Sequence, residues 1–236
     1  MQAVLARPAV STSEPSSRRT FARVAGAILA ICFLSVMAGH AGPAAIAGQR
    51  VSGTGDLGLI RAFYSHPAMV WFWWQGGISL LGLVIFGMVF RSYLRTFEQS
   101  PMAQVLTDAA TALIVVESGL LAVMLGLQSA MVQLVAAGAP DGALLSVFAG
   151  WDWLYNSVTY WFEFGWMFML AGVAYRARAL PAWMTIIGGI AAFGLLFNST
   201  ALLLRVPDIY TMIPTAFFAA WFVCTSVYLL RGGSEA

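Results

Sequence analysis

Lysine is absent from this 236-residue chain; all twelve basic side chains are arginine. That excludes Schiff-base chemistry, a retinal-type lysine linkage included. Charge of either sign is scarce. Only 9% of residues are Asp, Glu, Lys or Arg, where a soluble domain carries about 25%. A net charge of +2 gives no electrostatic footprint for nucleic acid. The two cysteines, Cys32 and Cys224, stand alone in apolar runs. Without a CxxC pair they support neither a redox dithiol nor a cysteine metal cluster, and they read as small buried apolar residues. Two histidines, His40 and His66, flank one loop. Either is a candidate ligand for haem, chlorin or copper, but no cysteine, methionine or carboxylate constellation supports them. No cofactor and no metal site is therefore expected.

What the chain has in abundance is apolar length. It is 60% hydrophobic with a mean hydropathy of +0.81, so lipid is the solvent for most of its surface. A spanning helix needs about 20 apolar residues. Six runs meet that, near 24–42, 67–90, 104–137, 152–175, 182–204 and 209–230. The expected fold is an all-α polytopic transmembrane bundle of six spanning helices. Residues 1–20 read as a polar, disordered lead, 21–231 as the membrane domain, and 232–236 as a short tail. The arginine-bearing start followed by MAGHAGPAA resembles a signal peptide, but the polar lead is long for one, so a retained first helix is expected. Residues 43–66 read as a Gly-rich loop, and 144–150 as a short interfacial stretch leading into Trp151.

Arginines set the orientation. With both termini cytoplasmic, Arg7, Arg18, Arg19, Arg23, Arg91, Arg95, Arg176, Arg178 and Arg231 lie inside, and Arg50, Arg61 and Arg205 lie outside. That asymmetry satisfies the positive-inside rule and requires an even number of spans. Nine Trp, seven Tyr and sixteen Phe supply interfacial belts. WFWWQGG and WDWLYNSVTYWFEFGW read either as a belt or as an aromatic-walled pocket.

Two carboxylates interrupt apolar spans: Glu117 in ALIVVESGLLAVML and Glu163 in TYWFEFGWMFMLAG. A charge at the bilayer centre costs about 2.5–3.5 kcal/mol on insertion scales, so each marks a candidate site. The spacing of Asp152, Asn156, Thr159 and Glu163 places all four within an arc of about 60° on an α-helix. Lipid cannot satisfy such a face, so it points inward. Glu117 and Gln128 share a face of the preceding span. Counted from the cytoplasmic ends of their spans, both glutamates lie about 20 Å deep, so they are expected to meet. With no arginine at that depth, such a pair cannot ionise fully. The hypothetical acid site is Glu117, Glu163 and Asp152. Asn156, Thr159, Gln128, Trp153 and Trp166 are candidate ligand-binding residues. Asp108 reads as a solvated interfacial acid.

Three segments resemble a bacterial multi-pass membrane family known as domain of unknown function 4386. They are RRTFARVAGAILAICFL, VVESGLLAVMLGLQSAMVQLVAAGAPD and LPAWMTIIGGIAAFGLLF. GWDWLYNS departs from that pattern where a His-Asp-Trp segment is expected, so only Asp152 and Trp153 match there. The resemblance implies a bacterial inner-membrane protein and no particular activity. Three roles fit the acids. They bind, and in the sharpest version convert, an apolar or lipid-like molecule, with isoprenoid chemistry suited to an acid among aromatic faces. Alternatively they are polar glue in an accessory subunit packed against a larger membrane complex, or part of a small proton-coupled transporter. The lipid bilayer is the expected partner in each case.

Overall fold

The computed structural model describes residues 15–47, 55–97, 100–201, 204 and 208–233. The secondary structure among them is helical, as the composition requires. In chain order it runs α1 (Pro15–Ala47), α2 (Leu57–Ser65), α3 (Met69–Leu94), α4 (Pro101–Ala136) and α5 (Asp141–Trp153). A π-helical turn (Leu154–Val158) follows, then α6 (Thr159–Arg176), α7 (Ala182–Ala201) and α8 (Asp208–Leu230). Four helices are long and apolar enough to cross a membrane: Met69–Leu94, Pro101–Ala136, Ala182–Ala201 and Ile213–Leu230. Their outward faces carry large apolar side chains, among them Leu81, Met88, Val105, Val123, Phe193 and Val223. Water does not tolerate so much contiguous apolar surface, and lipid does.

Six helices form a closed ring. α1 packs on α3, α3 on α4, α4 on α6, α6 on α7, α7 on α8, and α8 returns to α1. Successive antiparallel helices joined by short turns are neighbours, and the first and last segments close the circle. The approach is closest where a glycine faces the adjacent helix. A Cβ on Gly26 would sit 2.7 Å from the backbone nitrogen of Leu230, and one on Gly188 2.6 Å from the indole nitrogen of Trp221. Small residues at such points let membrane helices gain packing contacts that lipid cannot supply. Helices of this spacing (about 8–10 Å) arranged six to a ring leave a middle that side chains must fill. Trp166, Trp221, Phe86, Phe90, Leu29 and Ile114 fill it, all fully buried.

The two ends differ. At one end, Tyr93 ties α3 to the α6–α7 turn and to the segment after α8. Its hydroxyl donates to the Ala179 carbonyl at 2.7 Å and lies against Gly233 after α8, while Arg18 of α1 donates to the Thr96 carbonyl at 2.8 Å. Arg91 and Arg95 both pair with Asp108 at this arginine-rich rim, as expected of a solvated acid. At the other end α4 and the α5–α6 column overshoot the ring. Each spans 36 residues, a rise of about 54 Å, against about 30 Å of hydrocarbon. The surplus forms a cap with its own core: Ile60, Phe63, Tyr64, Met131, Leu144, Phe148 and Trp151.

The structure corrects three expectations, two of them at the cap. The segment 144–150 is not an interfacial stretch but part of α5, continuous with α6. The loop expected over 43–66 holds the end of α1 and all of α2. Ile60, Phe63 and Tyr64 have helical spacing, and Asp56 caps α2 by accepting from the Leu59 amide at 3.1 Å. Glycine-rich flanks hide that short amphipathic signal. The third correction is at the start: α1 begins at Pro15, inside the segment expected to be disordered.

Candidate functional site

Glu117 of α4 and Glu163 of α6 meet. Their carboxyl groups come within hydrogen-bonding reach of one another across the α4–α6 interface. A hydrogen bond between two carboxyls needs a proton on one of them, because an ionised carboxylate only accepts. The remaining acceptor on Glu117 is taken by Trp166, whose indole N–H donates to Oε2 at 2.5 Å. Glu117 is 2% exposed and Trp166 1%. The Trp166 ring packs on Trp221 of α8, centroids 6.3 Å apart, so the pair stands on an aromatic floor. Ile114 and Met167 complete that floor on the arginine side.

Glu163 differs from its partner. On α6 its helical neighbours in direction are Thr159, Trp166, Met167 and Leu170, all buried. The lipid-facing side is carried by Trp161, Phe168 and Tyr175. Glu163 therefore lies in the middle of the inward face, yet it retains intermediate accessibility. The described arginine–acid pairs, Arg61 with Asp141 and Arg91 and Arg95 with Asp108, lie at the ends. At the pair, the described donor is the Trp166 indole.

The polar stripe is present but bent. Asp152 is 9% exposed, Asn156 7% and Thr159 5%, so these residues face inward with Glu163. The π turn at Leu154–Val158 spends one extra residue. It rotates Asp152 and Asn156 by roughly the 100° of one residue relative to Glu163. The four do not form one straight line. Thr159 and Glu163 stay on the α4 side. Asn156 instead donates to the Asp152 carboxylate at 2.7 Å, and Asp152 lies within electrostatic range of Tyr64 on α2. Burial first, and Asp152 second, push the Tyr64 phenol above its ordinary value. It stays protonated, and its buried hydroxyl has no hydrogen-bond partner among the described residues. Ser157, also in the π turn, donates to the Ser199 carbonyl of α7 at 2.7 Å.

Three candidates are not at the pair. Trp153 is 42% exposed on the outer face, because the same π turn swings it away from the interior. Gln128 is half-buried and lies about 16 Å along α4 from Glu117. His66 is exposed at the C-cap of α2, with Nδ1 accepting from the Ala68 amide at 3.1 Å. The side chain of His40 lies outside the described residues. Sequence reading did not foresee Trp166 as the donor to Glu117, although its i+3 relation to Glu163 puts it on that face. Tyr64 and Trp221 gave no signal, since their positions depend on α2 and on ring closure.

No family model, no curated protein and no solved structure matches this chain. Fold and site together define a class: an all-α protein with four helices fit to cross a membrane and two facing carboxyl groups inside its ring.

Proposed function

We propose that the chain is a bacterial inner-membrane protein of six spans with both termini cytoplasmic, and that its carboxyl pair binds the polar end of an apolar or lipid-like molecule. The six spans are the six helices of the ring, and the sidedness rests on the arginine count. Membership of the family of domain of unknown function 4386 belongs to the same proposal and rests on the three segments named above.

One observation carries the ligand reading: Glu163 faces the interior of the ring and still has accessible surface. A residue serving only as packing glue would be enclosed as Glu117 is. A pair holding one proton offers both an O–H donor and acceptor oxygens. Apolar and aromatic walls with few polar groups describe an ordinary small-molecule site.

The test is to purify the full chain from its native membrane into lipid nanodiscs and to extract and weigh the apolar molecules that come with it. An apolar compound near stoichiometric amount, lost from folded Glu163→Gln, is the expected result. Equal retention by both proteins, or no such compound, overturns the ligand reading in favour of a packing role.

A further inference from the structure

The interior of the ring is polar on one side of the carboxyl pair and apolar on the other. Toward the α2 end it carries Thr159, Asn156, Asp152 and finally Tyr64, each buried. Asp152 stands 24 residues before Arg176, a rise of about 36 Å. With about 30 Å of hydrocarbon, that is the level at which water begins on the far side. Toward the arginine end the interior is Ile114, Phe86, Phe90, Leu170 and Ala174, all buried. The buried titratable side chain there is Tyr93, whose hydroxyl is already held by the Ala179 carbonyl; no buried carboxyl accompanies it among the described residues, and the other polar groups are hydroxyls and an indole. Thr107 is held by the Ala103 carbonyl, and Trp221, Thr225 and Ser226 are sealed on α8.

A proton moves between buried groups by passing along hydrogen-bonding atoms, and a titratable intermediate shortens each step. Asp152 is such an intermediate, placed beyond Glu163 at the level where water begins. Tyr64, protonated and unpartnered beside it, supplies a hydroxyl that can both give and take a proton. From this asymmetry, and resting on the shared-proton reading of the pair, we infer that Glu117 and Glu163 exchange their proton with the α2 face of the protein. The route runs through Thr159, Asn156, Asp152 and Tyr64, with water bridging the rotation made by the π turn. The exchange is neutral. Glu163 releases one proton to this route and takes one back, and no other bond changes.

Infrared spectroscopy of the full chain in nanodiscs tests the route. The protonated carboxyl band, identified by its loss in Glu117→Gln, is followed after dilution into heavy water. Asp152→Asn and Tyr64→Phe are expected to slow its shift by about tenfold, equivalent to ~1.4 kcal/mol of added barrier. Thr107→Val and Thr225→Val, on the arginine side, are expected to leave the rate as in the unmodified protein. Unchanged rates in all four variants, or slowing confined to the threonine variants, overturns the route. Tyr64→Phe removes a hydroxyl that makes no hydrogen bond among the described residues, so it tests the route even if Asp152→Asn does not fold. Absence of the band from the unmodified protein refutes the shared proton itself. A band whose exchange ignores Asp152 and Tyr64 refutes only the path.

Discussion

Trp166 donates its indole N–H to Glu117 at 2.5 Å across the α4–α6 interface, three residues past the second glutamate on the same helix face. This bond holds the Glu117 carboxyl turned toward Glu163 and removes its spare acceptor from an apolar setting. In hydrocarbon an unsatisfied polar group costs several kcal/mol, so one indole explains how an acid is accommodated at 2% exposure.

Trp166→Phe keeps the ring and its packing on Trp221 but removes the donor. The expected loss is about 1.5–3 kcal/mol, the range for a hydrogen bond to a charged or strongly polar partner. Glu117→Gln should cost less, because its amide oxygen still accepts from Trp166 while its NH₂ donates to Glu163. Thermal unfolding in one detergent ranks the two. A Glu117→Gln protein less stable than Trp166→Phe contradicts the role given to the indole.

Ring closure depends on the α1–α8 approach at Gly26. A methyl there would meet the Leu230 nitrogen at 2.7 Å and the Ser226 carbonyl at 2.9 Å, backbone atoms that cannot step aside. Gly26→Ala should destabilise by about 1–3 kcal/mol. Gly172→Ala, where nothing lies within 4 Å of the new carbon, should instead gain about 0.5–1 kcal/mol from reduced backbone freedom. Opposite signs in denaturation are the expected outcome; equal effects would mean that the first and last helices are not in contact.

Arg61 fastens α2 to the cap by donating to the Ala139 carbonyl and to Asp141, each at 2.7 Å. The Asp141 side chain is 63% exposed, so the ion pair by itself adds no more than about 0.2–1 kcal/mol. Arg61→Ala should therefore loosen α2 without unfolding the ring. Amide hydrogen exchange over Leu57–Ser65 should speed by about fivefold, the factor for ~1 kcal/mol, while α6 and α7 stay protected. Faster exchange across the whole chain would show that α2 is part of the global fold and not a separable cover.

Reporter fusions check the sidedness. Fusions at Gly55 and Gly138, both on the α2 side, should report the outer compartment, and one at Arg178 the cytoplasm. Gly138 closes the turn after α4 with φ of +63°, a conformation glycine adopts freely, so the insertion is best made just after it. A cytoplasmic signal from Gly55 or Gly138, or an outer signal from Arg178, would defeat the six-span arrangement.

Hydropathy alone determined the all-α class, the positions of the long helices and the presence of two acids deep in apolar runs. The arithmetic of helical rise placed Glu117 and Glu163 at one depth, and their contact follows from a short turn between adjacent helices. These features are local or depend only on neighbouring segments, so composition and spacing carry them. Tertiary structure decided the rest. The α2 helix is too short and too flanked by glycine to be distinguished from a loop until Ile60, Phe63 and Tyr64 find the cap. The π turn leaves no mark in LYNSV, yet it swings Trp153 outward and bends the polar stripe by one residue's rotation. Trp166 was legible as an inward residue but not as the hydrogen-bond donor to Glu117, because that role requires the facing helix at a particular register. Trp221 reaches the same site only because α8 closes the ring on α1, a contact between opposite ends of the chain that no periodicity encodes.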